Sequence, residues 1–541
     1  MLHGYSKTLI KSRIRHCTSS MTASIKPVNI IALTQGASID IFLRVAKKIK
    51  GSDFPLGKVG ALVSFAQHYK SSEIIKDHSG YVSFIKEWEI VHKALSEPYD
   101  KAELAIAENK LSPAAIWNAI IADRRLIYGR KSKYTQDYRV HFTDEQLWSI
   151  AYHFIKAFED LLDRIQPDVI IGFTPVTFGE MLGLEIAASR GIPTLQLHSS
   201  RIKNYFALHD VVSGTSRHFY DLMEKHNFRT ETLATANEII DEASKKGLVY
   251  EGANKSIASG RPLDFIAAAK TFPAAAVREA QKFFDPVLRR DHHDPGYIVP
   301  WVYTKLLQPL KEHWVKMRLS SHKRVVKPEN IADLGEFCFF PLQSEPEVSL
   351  QVLGRPYHKN QIELLRNLAA SLPAGMKLLV KEHPRSMGLR PYNYYKALFE
   401  IPNIYLADVH APSIPMVNAS NFVGIISGTI GFEAVMMGKP VLILGHPKYE
   451  AIPGKMTRKC LNLFEMPQTI RTLLDEYEYS RANIVTFISA LIEGSVDIDL
   501  YSNLLKKPGR HSFQDGMVSE DEDLNKLCRY MINRIEGVLH K

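Results

Sequence analysis

No apolar run in this chain is long enough to cross a bilayer; the most apolar stretch, residues 169–188, is interrupted by Glu180 and Glu185. A soluble protein is therefore expected, one still free to sit on a membrane surface. Cysteine is scarce as well. Cys17, Cys338, Cys460 and Cys528 are the only four, and none has the close partner spacing of a disulfide framework or a zinc site. That pattern predicts a reducing, cytoplasmic compartment and no metal centre. Acidic residues are missing from the start: Asp40 is the first, while Lys7, Lys11, Arg13 and Arg15 are basic. The same segment lacks the apolar core of a secretory leader. Residues 1–27 read as a disordered tail or an over-extended start that Met21 would replace, with a presequence as the other option. Zinc-finger spacings and RNA-binding aromatic motifs are absent too, so nucleic acid is not an expected partner.

What is present is the mixture of a globular protein, 45% hydrophobic and 23% charged, in 541 residues, too many for a single core. The formal net charge of +10 favours anionic partners: a nucleotide sugar, an acidic glycan, or the anionic inner face of a membrane.

Residues 28–33 read as a buried strand, residues 34–38 as a small-residue turn, and the segment to Lys48 as a helix, which is how a Rossmann-like unit opens. Residues 69–131 have a mostly helical period. Thr143 and Gln146 predict a capping box for a helix over 144–165, with Leu147, Ile150, Phe154, Phe158, Leu161 and Ile165 on its apolar face. Residues 169–173 are apolar on both faces and predict an interior parallel strand; a helix to Arg190 and a strand over 192–197 follow. Residues 28–215 thus read as one Rossmann-like domain, on the acceptor side. Helices and basic loops take over in 216–334, predicting a helical insertion. Its run Arg289, Arg290, Asp291, His292, His293, Asp294 is expected to be solvated rather than to hold a metal. Strands are predicted again at 337–342, 377–381, 404–406, 422–426 and 440–444, with helices over 360–372 and 429–437. The fold class is α/β, with a second Rossmann-like domain over 335–500 and a helical tail over 501–541.

Three segments of the second domain carry chemistry. In Ser427, Gly428, Thr429, Ile430, Gly431, Phe432 and Glu433 an apolar strand delivers small residues to a helix start, whose free N–H groups and dipole favour an anion. Glycines there let a phosphate approach closely, and Glu433 falls where a carboxylate can accept from ribose hydroxyls. A tight turn with an acid that merely suits the helix dipole would look the same locally. Lys381, Glu382, His383, Pro384 and Arg385 follow a buried strand, at the edge where open parallel sheets bind ligands. His383 and Lys381 suit a phosphate there, and a surface histidine capping backbone groups is the alternative. Gln343, Glu345 and Glu347 follow another strand and could read a base or sugar hydroxyls, or form a solvated turn. All three segments fall at strand ends of one sheet, the convergence that a site requires.

These motifs resemble the capsule polysaccharide biosynthesis family, whose members include transferases of the acidic sugar Kdo. The resemblance rests on Phe340, Pro341, Leu342 and Gln343; on Lys381 to Pro384; on Ser427, Gly428, Thr429, Phe432, Glu433 and Ala434; and on Tyr449. It covers most of residues 335–450. It implies a glycosyltransferase-B arrangement, two Rossmann-like domains facing a cleft with the donor mainly on the second. It also implies nucleotide contact by His383 and Pro384, phosphate contact by Ser427, Gly428 and Thr429, and a donor that is a CMP-linked sugar acting as substrate, with no cofactor. The partners implied are a nucleotide sugar and a glycan or lipid-linked glycan acceptor.

Transfer needs an acid or base near the acceptor hydroxyl. Asp40 and Glu180 are the first candidates, with His198 and Asp210 behind them. Each has a bland reading, as helix cap, dipole partner or loop residue. Two other functions fit the same architecture. A nucleotide-sugar epimerase is one, although Glu433 lacks the adjacent second acid. A non-catalytic polysaccharide-binding or export-assembly protein is the other, although it would have no need of nucleotide-type loops.

Overall fold

The computed structural model of the chain describes residues 26–127, 141–255, 265–292, 305, 307–345, 350, 352–354, 360–383, 386, 389–409, 411–514 and 516–540. Residues 1–25 of the expected tail lie outside that set, as do His293, Asp294, Glu347, Pro384 and Arg385.

Among the described residues, two seven-stranded sheets organise the chain. The first contains β1 (Val28–Leu33), β2 (Leu56–Val63), β3 (Val82–Lys86), β4 (Val169–Phe173), β5 (Thr194–Ser199) and β6 (Tyr205–His209). The second contains β7 (Val325–Val326), β8 (Phe337–Pro341), β9 (Lys377–Lys381), β10 (Ile404–Ala407), β11 (Phe422–Ile425), β12 (Val441–Ile443) and β13 (Thr457–Lys459). Its order is β13-β12-β11-β8-β9-β10-β7, parallel throughout. The first sheet is completed from the far end of the chain by β14 (Val496–Asp497). Its order is β14-β6-β5-β4-β1-β2-β3, parallel except where β6 pairs antiparallel with β5 and β14. Two Rossmann-like sheets with helical material between them are thus the architecture of this chain.

The interior strands are the ones whose residues are apolar on both faces, because helices cover a parallel sheet from both sides. The helix Asp144–Ile165 starts on the capping box of Thr143 and Gln146, with both reciprocal bonds present. The span read as mostly helical needs correction: residues 82–86 form β3, paired with β2 from Val59↔Val82 to Val63↔Lys86. An edge strand has neighbours on one side only and tolerates Ser83 and Lys86, so its apolar signal is weak. The short edge strands β7, β13 and β14 escaped the sequence for the same reason, while β2 and β6, which have neighbours on both sides, were missed without it.

Past β13 the chain returns to the first sheet. The helix Arg481–Glu493 packs on the helix Thr230–Lys246, β14 pairs with β6, and the helix Glu520–Leu539 lies against the helix Ser38–Lys50, where Lys48 Nζ meets Asp521 at 2.7 Å. One apolar core bridges the two halves: Ala207 and Phe219 belong to the first, Phe339, Phe432 and Tyr449 to the second, and Phe487 to the returning helix. No helix among the described residues is long and apolar enough to cross a membrane.

Candidate functional site

β8 and β9 are neighbours, and both end where the chain turns from apolar to polar. Past β8, Gln343 donates its backbone N–H to Gln361 Oε1 at 2.8 Å and accepts from Gln361 Nε2 at 3.1 Å. Past β9, Glu382 is 1% exposed. Its Oε2 accepts from Arg390 Nε and Tyr395 Oη, each at 2.8 Å, and its Oε1 accepts the backbone N–H of His383 at 2.8 Å. Arg390 Nη2 also donates to the Gln343 carbonyl at 2.5 Å, and Nη1 stands 3.3 Å from Glu345. Buried charges persist only when paired and hydrogen-bonded. The Glu382–Arg390 pair therefore clasps the two loops in register and fixes the backbone of the half-buried His383. Lys381 ends β9; burial pulls its ammonium below the ordinary lysine range, against the opposing charges of Glu382 and Asp408.

The third loop joins from the other side of β8. Gly428 is the N-cap of the helix Thr429–Met436 and supplies no side-chain cap. A Cβ on Gly428 would come within 2.9 Å of Gln343 Nε2, so the first and third loops touch there. A Cβ on Gly431 would collide with Tyr449 Oη; that hydroxyl donates to the Gly428 carbonyl at 3.0 Å, and its ring stacks on Phe432 with centroids 5.6 Å apart. At these two positions the missing Cβ admits side chains, Gln343 and Tyr449, a use the sequence did not reveal. Glu433 turns to the helical insertion instead: its Oε1 accepts the backbone N–H of Leu248 at 3.0 Å, and burial raises its carboxyl to about 7. Gln343, Lys381, His383, Ser427, Gly428 and Thr429 are thus gathered along one edge of the second sheet, while Glu347 and Pro384 lie outside the described residues.

On the first sheet, Asp40 sits in the first turn of the helix Ser38–Lys50, half-buried, with its Oδ1 taken by His68 Nε2 at 3.1 Å and Ser72 Oγ at 3.0 Å. Glu180 is 1% exposed and closes a capping box with Thr177. Its Oε2 accepts from the N–H groups of Val176 and Thr177 and from Thr177 Oγ1; Oε1 is buried with no partner among the described residues, and burial raises the carboxyl to about 7. His198 is a buried residue inside β5 rather than in the loop after it, and its ring packs 5.1 Å from that of His209. Asp210 directly follows β6. Asp291 is not solvated as expected: it is 2% exposed and accepts the N–H of Ala66 at 2.6 Å, and His292 stacks on His92.

The loop after β12 meets the first half of the chain. Gly214 N–H donates to the His446 carbonyl at 3.1 Å and Thr215 Oγ1 to the Lys448 carbonyl at 2.5 Å. Lys448 has a partly exposed stem, but its Nζ is buried with no hydrogen-bond acceptor among the described residues, and burial pulls the ammonium down to about 7 despite the opposing charges of Glu450 and Asp210. Burial also holds His198 and His209 well below the usual imidazole range, with the Lys448 charge adding to it. The sequence reading did not mark Lys448 or Arg390, and it included Glu382 in a motif without giving it a role. A charge one residue from an apolar strand was the available signal for Glu382; nothing local marks Arg390.

Residues 267–477 match the family model described as capsule polysaccharide biosynthesis protein. That span contains the whole second sheet and the strand-end loops at Gln343, His383 and Ser427, so the family resemblance read from those motifs is met by the family model over that part of the chain. No curated protein matches the chain. Among solved structures it is similar to KpsC, the beta Kdo 2,7 transferase of Thermosulfurimonas dismutans, at 13% identity and a TM-score of 0.33, over 69% of this chain and 89% of that one. It is similar to the UDP-GlcNAc 2-epimerase of Neisseria meningitidis at 11% identity and a TM-score of 0.25, over 86% and 98%. It is also similar to a glycosyltransferase of Rickettsia africae ESF-5 at 10% identity and a TM-score of 0.23, over 95% and 99%.

Proposed function

We propose that this chain is a glycosyltransferase of capsule or other surface-polysaccharide biosynthesis. It takes a nucleotide sugar at the edge of its second sheet and passes the sugar to a glycan or lipid-linked glycan, working at the cytoplasmic face of a membrane. One observation carries the reading: three strand-end loops, at Gln343, at His383 and at Ser427 to Thr429, meet on one parallel sheet around an uncapped helix start, held by the Glu382–Arg390 pair. Such an edge presents backbone N–H groups and basic side chains to a phosphate, and a rigid frame keeps them in place as the leaving nucleotide gains charge. The family resemblance favours a CMP-linked acidic sugar such as Kdo as the donor.

A general base must touch the acceptor hydroxyl. Glu180 is enclosed, with one oxygen serving three donors, which favours a structural role. Asp40 is the more open of the two, and His68 beside it can steady the proton it accepts. We assign the base to Asp40.

Titration calorimetry with CMP, UDP, GDP and CDP tests the reading. One nucleotide binding well above the rest supports it, and binding of none sinks it. With the preferred donor, Asp40→Asn abolishes turnover while nucleotide affinity stays; unchanged turnover would remove Asp40 from the role.

A further inference from the structure

The helix Phe265–Phe284 exposes what a helix normally buries. At a step of about 100° per residue, Ile266, Phe272, Val277, Phe283 and Phe284 fall in one sector roughly 140° wide, with alanines and Pro273 filling the gaps. That sector is open: Ile266 is 70%, Val277 57%, Phe283 71% and Phe284 79% exposed. Ala275 and Lys282, on the opposite side, are buried at 8% and 4%. A lysine is turned inward and the phenylalanines outward, along a helix about 30 Å long at 1.5 Å per residue. A continuous exposed apolar surface of that extent marks a contact surface.

Charge says which one. Lys270, Arg289 and Arg290 are exposed beside or just beyond the stripe, in a chain of net charge +10. Glu279 is the one acid in the helix, and it is engaged by Arg278 at 3.5 Å and Lys282 at 3.9 Å. The stripe offers no hydrogen-bonding side chain that a shape-matched protein surface would read. It offers large apolar groups for a fluid apolar phase and cations for anionic headgroups. We propose that the helix Phe265–Phe284 lies in the interface of an anionic lipid bilayer, apolar sector inward, with Lys270, Arg289 and Arg290 at the headgroup phosphates. This gives a place to the membrane-face part of the reading above and rests on that part alone.

Flotation of the full chain with vesicles tests it. The protein floats with mixed phosphatidylglycerol and phosphatidylcholine vesicles, and much less with phosphatidylcholine alone. The triple variant Val277→Ser, Phe283→Ser, Phe284→Ser keeps its circular dichroism spectrum and loses at least about tenfold in partitioning. A second variant, Lys270→Gln, Arg289→Gln, Arg290→Gln, alters exposed side chains only and loses binding to the anionic vesicles specifically. The proposal is overturned if the unaltered chain stays off anionic vesicles, or if the triple variant floats equally well. It is also overturned if sedimentation shows a dimer that the triple variant dissolves while neither form floats. Transfer to a water-soluble acceptor is read in parallel: it stays at the unaltered rate in the triple variant, so a failure of docking and a failure of the transferase reading are told apart.

Discussion

Glu433 Oε1 and the backbone N–H of Leu248 are hydrogen-bonded at 3.0 Å across 185 residues of chain. The bond ties the end of the helix Thr230–Lys246 to the helix that follows β11, so the helical insertion is fastened to the second sheet at a residue the sequence assigns to ribose. A ribose acceptor at Glu433 would have to displace Leu248 or share the carboxylate with it.

The burial that makes this bond also raises the Glu433 carboxyl to about 7. A carboxyl whose folded-state value is raised holds its proton more tightly when folded, so stability falls as pH rises from about 4.5 towards 7. Glu433→Gln keeps an acceptor for Leu248 and removes that loss. The variant is expected to gain roughly 1–3 kcal/mol at about pH 8 and to match the parent near pH 4. Thermal melts at the two pH values check it; a variant less stable at the higher pH would contradict it.

Arg390 holds Glu382, Glu345 and the Gln343 carbonyl from a position 1% exposed. Arg390→Met leaves Glu382 buried without its counter-charge, which costs about 3–5 kcal/mol. The melting temperature should fall sharply, and Glu382→Gln should lose less because Tyr395 and Arg390 can still bond the amide oxygen. Equal, small losses in both would mean that the clasp does not hold the loops.

Lys448 presents the opposite sign. Its ammonium, pulled down to about 7 by burial, binds its proton less tightly when folded, so stability rises with pH between about 7 and 10. Lys448→Met fills the same space without the charge. It should stabilise the protein near pH 7 by roughly 1–4 kcal/mol, with the gain shrinking as pH approaches 10. A constant difference across that range would show that the charge is not desolvated.

For the donor edge, His383→Ala should weaken binding of the preferred nucleotide by about 1.5–3 kcal/mol, the scale of a charge-assisted hydrogen bond. The fold should survive, since Glu382 and not His383 carries the buried network. Calorimetry on the folded variant decides, and unchanged affinity would place the nucleotide elsewhere.

The placement of much of the candidate site was legible in the sequence, and the reason is locality. Apolar runs such as residues 337–341 and 377–381 mark interior strands, and polar residues such as Gln343 and His383 follow directly at their ends. Parallel topology then brings successive strand ends to one edge without further information. The capping box at Thr143 and Gln146 was readable for the same reason, since both partners lie within one turn.

What the sequence determined by itself is therefore the α/β class, most of the interior strands (β2 and β6 were not among them) and the candidate edge, each encoded within a few neighbouring residues. The tertiary structure alone decided that Glu382 pairs with Arg390, that Glu433 meets Leu248, and that β14 returns from residues 496–497 to complete the first sheet. Those partners are far apart along the chain or carry no local mark. A charge or backbone group leaving water must be matched by whatever partner the packed chain places beside it, and only the fold determines which one that is.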